Sequence, residues 1–288
     1  MNSINQLITT IFDVLLTPLE AMGHEVALIV MGGVFGVLAL VVFKYISSQR
    51  GIKLAKDKIK GHMIAIRLYQ DDLAVVGASV CKVLLRNLQY ISLNFAPFLP
   101  LAIPFVFVIA QMVVRYSFDP LPVVAVEDVD DMLAGQGVEL HVEFKPEARA
   151  RAGELSLVLP EGLQALSPLV RIESGGVAFQ EFVATSAGEY AVEFRFEDGT
   201  SYTKTVVAGD LAPRMMQPER VSGFFSASLW PAEDRFDDDC PIAHIAFVYP
   251  ERDCGWLPLS GPLGVMTWFV VASMLFAFAV IKPLGVQI

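Results

Sequence analysis

Residues that could carry chemistry are few in this sequence and far apart. The four histidines, at positions 24, 62, 141 and 244, have no metal-ligand spacing. Two acidic runs, "EDVDD" at 127–131 and "FDDDC" at 236–240, carry carboxylates that could bind Ca²⁺, but neither has the spacing of a known calcium loop. We therefore interpret both runs as solvated acidic turns. There is no phosphate-binding glycine loop, and no Ser or Cys nucleophile has a base at a recognisable spacing. The sequence predicts a protein that is not an enzyme, with no catalytic, metal or cofactor site.

The elements around these residues are dominated by three long uncharged runs. The chain of 288 residues is 54 % hydrophobic and only 18 % charged, whereas about a quarter of the residues of a soluble domain are charged. The runs cover 26–43, 87–114 and 255–281. About 20 apolar residues are enough for a helix to cross a bilayer. The sequence therefore predicts a membrane protein with three spans.

Charge is strongly segregated along the chain, although the net charge is −10. Residues 44–90 carry nine Lys or Arg against three Asp, and residues 119–258 carry 25 acidic residues against ten basic ones. Positively charged loops remain in the cytoplasm, so 44–90 is predicted inside and 119–258 outside. The N-terminus lacks the basic region of a cleavable signal peptide, and we expect it outside, with Lys282 marking a cytoplasmic C-terminus. The expected location is a bacterial inner (plasma) membrane, with the acidic segment periplasmic or extracellular.

Cysteine placement fits this topology. Cys81 falls on the reducing side of the membrane, while Cys240 and Cys254 fall outside, where disulfides persist. We predict a disulfide between Cys240 and Cys254, the alternative being two free thiols in one short loop.

Periodicity divides the chain into further elements. Residues 4–21 are apolar at helical spacing and predict a helix lying in the outer membrane interface, the alternative being an extension of the first span. The basic stretch shows two amphipathic arms joined by "QDD" at 70–72, which predicts a cytoplasmic helical hairpin; a solvated basic linker near anionic headgroups is the alternative. Beyond 120, apolar and polar residues alternate between Gly, Pro and Asp turns, which is typical of strands.

The predicted fold class is an α-helical membrane protein with three spans and a cytoplasmic helical hairpin, plus an all-β extracytoplasmic sandwich domain. Strand alternation over 136–209 resembles an immunoglobulin or fibronectin type III module, with Tyr190 placed like the corner tyrosine of those sandwiches; whether 210–258 joins it stays open. The predicted segments are an outer interfacial helix (1–23), span one (24–45), the basic hairpin (46–90), span two (91–116), the β-sandwich-like domain (117–258), span three (262–282) and a cytoplasmic tail (283–288).

Small residues and prolines give two of the spans special roles. Span one contains Gly32, Gly33 and Gly36, a spacing that allows helices to approach closely in lipid. These glycines are predicted to pack against the chain's own other spans, with homodimerisation as the alternative. Span two contains prolines at 97, 100 and 104, each of which removes a backbone donor. We therefore expect its first half to be a bent or broken helix.

The order of these parts resembles the membrane core of the YidC-type insertase superfamily. The resemblance covers about residues 5–115 and depends on "ISSQRGIKLAKDKIKGHMIAIRLYQDD" and "SLNFAPFLPLAIPFVFVI". In that family the first span ends in a Gln-containing polar segment, and a hairpin arm ends near a Lys-Tyr-x-x-Asp-like turn. Gln49 and the turn at 69–72 occupy those places. The family's second core span begins with an Asn-Pro-rich segment, as Asn94 and Pro97 do here, and has a later proline.

The sequence departs from the family at one position. Insertases of this type place an arginine inside the first span, in a hydrophilic groove that receives polar segments of clients. Alignment on Gln49 puts Ala39 near that position, and no charge lies between Val26 and Phe43. The resemblance then implies that a groove would take its polarity from Lys44, Ser92, Asn94 and Gln111.

Three functions compete at this point. The preferred one is a non-catalytic membrane subunit or assembly factor of a larger membrane complex, built on a YidC-like scaffold, whose β-domain docks a partner. The second is a YidC-like insertase or membrane chaperone, and the third is a sensor or adhesin-like receptor. The missing groove arginine and the large outer domain favour the first. The expected partners are other membrane subunits or membrane-protein clients and the lipid bilayer, and not nucleic acid.

Overall fold

A computed structural model of the chain describes residues 2–133, 135–211 and 213–286. Five long helices precede the sheets: α1 (Asn2–Glu20), α2 (His24–Ile46), α3 (Gln49–Leu68), α4 (Leu73–Phe95) and α5 (Phe98–Tyr116). A short helix, α6 (Val126–Val129), leads into nine strands, and a second short helix, α7 (Ser226–Leu229), lies before the last of them. The long helix α8 (Gly261–Leu284) follows the strands.

Three helical stretches in the described part of the chain are long and apolar enough to cross a membrane, as the uncharged runs predict. They are His24–Ile46, Leu73–Tyr116 and Gly261–Leu284. The second of them contains α4 and α5, which are separated at Ala96 and Pro97. Proline has no N–H to continue a helix, so the break lies at the first of the prolines that the sequence marks. Residues 91–95, assigned to span two in the sequence analysis, belong to α4.

The chain divides into two compact units, 1–28 with 107–267 and 29–106 with 268–288. In the second unit, α2 packs on α8 through its glycines. A Cβ on Gly32 would lie 2.8 Å from the carbonyl oxygen of Phe269, and one on Gly36 would overlap the backbone of Ser273. The Ser273 hydroxyl donates to the Gly32 carbonyl at 2.9 Å. The small residues therefore lie against the chain's own helix α8.

We expect Gly36→Ala to weaken the α2–α8 contact by about 1–3 kcal/mol, because the obstruction is backbone and cannot rotate away. Thermal unfolding of the full chain in detergent would measure the loss. Gly61→Ala in α3 is the matched control, because no atom lies within 4 Å of the added methyl group. Alanine is the better helix former, so this control should be neutral or stabilising. Equal stability of the two variants would contradict the close contact.

The basic stretch forms a helical hairpin in the second unit. Helices α3 and α4 pack on each other, with Ile52 and Ala55 of α3 buried. Asp72 is the N-cap of α4: its Oδ1 accepts hydrogen bonds from the backbone N–H groups of Ala74 and Val75 at 3.0 and 3.1 Å. A capping aspartate satisfies donors that the first helical turn leaves free. The "QDD" turn thus ends one arm and starts the other.

Two antiparallel sheets make up most of the first unit. The strands are β1 (Val138–Phe144), β2 (Ser156–Val158), β3 (Leu163–Ala165), β4 (Val170–Ile172), β5 (Val177–Ala184), β6 (Gly188–Arg195), β7 (Ser201–Ala208), β8 (Glu219–Val221) and β9 (Ile242–Phe247), with a 3₁₀ helix at Pro146–Glu154. The larger sheet has the order β3-β5-β1-β9-β8 with β4 also on β5, and the smaller is β2-β6-β7. Because β9 pairs with β1 inside the larger sheet, residues 210–258 fold with the strands before them.

Alternation along the strands builds the core between the sheets. Leu140, Val142 and Phe144 of β1 are buried, and the Phe144 ring meets Phe196, which follows β6, edge-on at 6.0 Å. The "EDG" turn at 197–199 joins β6 to β7, and Gly199 has φ +84°, which favours glycine. The Tyr190 hydroxyl donates to the Ser186 carbonyl at 2.8 Å, a bond back to the turn before its strand.

Candidate functional site: an ion-pair network joining helices to the sheet domain

The four residues proposed to make a groove polar divide between the two units, with Lys44, Ser92 and Asn94 in the second and Gln111 in the first. Lys44 is exposed at the end of α2, and the Ser92 hydroxyl donates to the Leu88 carbonyl of its own helix. The Asn94 Nδ2 donates to the Tyr90 carbonyl at 2.8 Å, also within its own helix. Gln111 belongs to the other compact unit. Ser92 and Asn94 thus use their donors within their own helix, and Lys44 is exposed.

Gln111 is buried and leads to a cation that the sequence analysis missed. It lies one helical turn before Arg115 on α5, and the Arg115 Nε donates to its Oε1 at 3.4 Å. Arg115 Nη2 lies 2.6 Å from Asp13 Oδ1 of α1, and the arginine side chain is 1 % exposed. The Gln111 Nε2 donates to the Thr9 hydroxyl at 3.1 Å. Two polar residues one turn apart on α5 thus face two polar residues one turn apart on α1.

A residue of the sheet domain completes this cluster. Arg214, in the connection between β7 and β8, places Nη1 3.2 Å from Asp13 Oδ2. Asp13 therefore accepts one arginine on each carboxylate oxygen, one buried and one exposed. We call Thr9, Asp13, Gln111, Arg115 and Arg214 the junction network, because it joins α1, α5 and the β7–β8 connection.

The end of α5 is also bonded to the sheet domain through its backbone. The last carbonyls of a helix have no partner within the helix. Here the Val114 carbonyl accepts from the Met216 N–H at 2.7 Å, and the Ser117 carbonyl accepts from the Arg252 N–H at 2.9 Å. The Arg252 side chain reaches back to Asp119, with Nε 2.6 Å from Oδ1. Within the first unit, the sheet domain is attached to α5 at several points and not by a flexible linker.

This arrangement neutralises the charge of Arg115 and holds its side chain in place. A buried cation needs a paired anion, and Asp13 supplies one within hydrogen-bonding distance of Arg115. The amide oxygen of Gln111 accepts a hydrogen bond from Arg115 Nε, and the amide nitrogen of Gln111 donates one to the Thr9 hydroxyl. The positive charge of Arg115 is thereby held inside the protein.

Asp238 of the acidic runs and two of the histidines have partners within the sheet domain. Asp238, from the "FDDDC" run, pairs with Arg235. The hydrogen bond from Arg235 and the positive charge of that arginine lower the pKa of the Asp238 carboxyl. Over the described ranges, no three His, Cys, Asp or Glu side chains are grouped to hold a metal ion. His141 and His244 come together on neighbouring strands with ring centroids 6.2 Å apart, and His244 Nε2 lies 2.8 Å from Glu219 Oε2. Sequence spacing gave no sign of this pair, because the register of β1 on β9 creates it.

The predicted disulfide between Cys240 and Cys254 is wrong: both thiols are free and buried. Cys240 instead lies beside the Tyr202 hydroxyl, and Cys254 lies against Gly264 of α8. Burial raises the pKa of both thiols.

We therefore expect the folded protein to react with a thiol reagent at Cys81 alone, because Cys81 is the exposed cysteine. The raised pKa of Cys240 and Cys254 lowers their thiolate fraction and further slows their reaction with the reagent. Titration with a chromogenic disulfide reagent should give one thiol in detergent and three after denaturation, with no added reductant. If the denatured chain shows three thiols only after reduction, the two cysteines are bonded.

Comparison of the chain with family models, with curated proteins and with solved structures gives no match.

Proposed function

We propose that this chain is a non-catalytic integral membrane subunit or assembly factor of a larger membrane complex, built on a YidC-like scaffold. Its sheet domain lies outside a bacterial inner membrane and docks a partner subunit. The observation that carries the proposal is the burial of Arg115, whose charge is paired with that of Asp13 and is not accessible to solvent. A site that receives polar client segments needs an accessible polar group in apolar surroundings, and this cation is not accessible.

The attachment of the sheet domain to α5 supports the same role. Backbone hydrogen bonds at Val114 and Ser117 and the ion pairs of Asp13 hold the domain to the end of a candidate span. A partner bound to the domain would then be held in a defined register with the membrane helices. A ligand sensor on a free linker would not require this attachment.

Helix length supports the proposed membrane placement. The stretch Leu73–Tyr116 has 44 residues, and its helices α4 and α5, of 23 and 19 residues, are each about 30 Å long at 1.5 Å per residue. The hydrocarbon core is about 30 Å thick, so only part of the stretch can lie in it. Placing α5 in the bilayer and most of α4 with the basic arm α3 in the cytoplasm agrees with the charge distribution.

Purification from the native membrane tests the proposal. After extraction in mild detergent, we expect the chain to migrate in a complex whose other subunits mass spectrometry identifies. Charge reversal at Glu139 and Glu143, exposed on β1, probes the sheet face, with Glu197→Lys in the β6–β7 turn as the control. A chain that migrates alone under all mild conditions would refute the subunit role.

An insertase or membrane chaperone is the second candidate. It is favoured by Asn94, whose Oδ1 is buried without a hydrogen-bond partner among the side chains that the structure describes, and by the exposed apolar residues of α4, Leu84, Leu85 and Leu88. Such a surface could receive a client helix. Depletion of the protein followed by measurement of the insertion of one- or two-span clients separates the two candidates. Impaired insertion with no stable partner would favour the insertase.

A further inference from the structure

Two uncharged aromatic loops interrupt the acidic sheet domain. Residues 221–232 contain no Asp, Glu, Lys or Arg, and neither do residues 254–260, although 119–258 carries 25 acidic residues. The first loop exposes Phe224 and Phe225, the latter by 84 %, and the second exposes Trp256 by 67 %. Exposed aromatic side chains of this size on a polar domain mark an interaction surface.

Both loops are ordered, so their exposed rings are held outward. In the first, the Ala227 and Ser228 N–H groups donate to the carbonyls of Gly223 and Phe225 at 3.0 Å, and the Phe224 and Phe225 rings meet edge-on at 5.4 Å. The second loop is closed at its base by a bridge between Asp253 and Ser260. In each loop a turn is fixed by the backbone and its aromatic residues are left without cover.

The loops lie on either side of the point where the chain leaves α5. Phe118, two residues beyond α5, forms an antiparallel bridge with Glu251, which leads into the second loop. The Phe118 ring also lies 6.4 Å from the ring of Trp230, at the end of the first loop. The second loop then runs directly into α8. Both aromatic loops are therefore close to the ends of two candidate spans.

We propose that the loops at 223–230 and 254–259 insert into the outer lipid interface of the bilayer that the spans cross. This rests on the proposed membrane placement. Tryptophan concentrates at the level of lipid headgroups, because its ring is apolar and its N–H is polar, and phenylalanine is an apolar residue that interfacial segments bury below the headgroups. Anionic headgroups repel an acidic domain, so uncharged loops are the part of its surface that can approach them. The loops hold the membrane-facing side of the sheet domain on the bilayer.

Probe depth in the reconstituted full chain tests this proposal. In a Cys81→Ser background, an environment-sensitive fluorophore is attached at Phe225→Cys or Trp256→Cys in vesicles of neutral phosphatidylcholine. Ser201→Cys is the water control: it starts β7, whose other end at Ala208 pairs with Leu121 near α5, about 24 Å away along the strand. Leu275→Cys, an exposed residue of α8, is the lipid control.

We expect blue-shifted emission at 225 and 256, with quenching by a headgroup nitroxide lipid and protection from iodide, while 201 is quenched by iodide. If 225 and 256 behave like 201 while 275 reports hydrocarbon, the loops do not insert and the membrane placement stands. If 275 also reports water, the membrane placement fails and the inference fails with it. Phe225 is exposed in the folded chain, so its replacement should not impair folding.

Discussion

Asp13→Asn should lower the free energy of unfolding of the full chain by about 3–5 kcal/mol, the loss typical of breaking a buried ion pair from one side. The substitution keeps the shape of the side chain and removes its charge. Arg115, with a side chain 1 % exposed, then keeps a full positive charge without a carboxylate beside it, and its neighbours there are the neutral amides of Gln111 and of the introduced asparagine. A guanidinium group does not lose its proton in proteins, so neutralisation cannot offset the cost.

Unfolding in detergent, followed by circular dichroism against a denaturant, would measure this loss. Arg214→Ala is the first control: it removes the exposed partner of Asp13, and surface pairs contribute at most about 1 kcal/mol. Asp57→Asn, on the exposed side of α3, controls for the loss of one negative charge. The double variant Asp13→Leu with Arg115→Met should recover most of the stability, because no unpaired charge remains. A loss no larger than that of Arg214→Ala would show that Arg115 is not confined.

The junction network shows which parts of a site can be deduced from sequence. Gln111 is polar inside an apolar run, and that alone singles it out. Arg115 directly follows the uncharged run 87–114, so from sequence alone it is interpreted as one of the charges that commonly flank a membrane span. Its i, i+4 spacing from Gln111, matched by Thr9 and Asp13, was the available signal. The pairing of these two helices depends on tertiary structure, which no local pattern encodes.

Local sequence patterns predict the individual helices and strands better than they predict how these elements are arranged. Apolar runs locate the three candidate spans, and Pro97 locates the break between α4 and α5. Alternation identifies strands such as β6 and β7, yet the place of β9 beside β1 depends on contacts between residues about 100 positions apart. The disulfide failed for the same reason: the shared outer location of Cys240 and Cys254 predicted a pairing, whereas the tertiary structure places Cys240 beside Tyr202 and Cys254 against Gly264.

Lys204 is a buried charge that the sequence analysis missed, although strand alternation marks its position. In "SYTKTVVA", Lys204 lies on the same face of β7 as Val206, which is buried. The structure buries Lys204 fully, with Nζ 2.6 Å from Glu233 Oε2 and 5.7 Å from the Phe247 ring centroid. Its ammonium also donates to the Gln217 carbonyl. An ion pair therefore occupies the core of the sheet domain.

Glu233→Gln should destabilise the sheet domain by about 3–5 kcal/mol at neutral pH, because it leaves the Lys204 ammonium in the core without an anion. The amide keeps the acceptor for the Thr205 N–H, which Glu233 Oε1 bonds at 3.0 Å, so the charge is the main change. Burial already lowers the pKa of Lys204, and the attraction of Glu233 opposes that shift. Removing the carboxylate should lower this pKa further.

The loss should depend on pH with a definite sign. Between the lowered pKa of Lys204 in the folded state and its ordinary pKa in the unfolded chain, the unfolded state binds more protons. The free energy of unfolding therefore rises with pH in that range. The variant should be weakest below the folded pKa of Lys204 and should regain stability, relative to the wild type, as the pH is raised toward the ordinary lysine value.

Denaturant unfolding from neutral to alkaline pH, followed by Tyr and Trp fluorescence, would measure this difference. Glu197→Gln, an exposed carboxylate in the β6–β7 turn, controls for net charge and should give a small loss that does not vary with pH. Lys204→Met added to Glu233→Gln removes the buried cation and should abolish the pH dependence while restoring stability. A Glu233→Gln loss that is independent of pH would mean that Lys204 reaches water in the variant and keeps its proton. The pair would then be a surface contact and not part of the core.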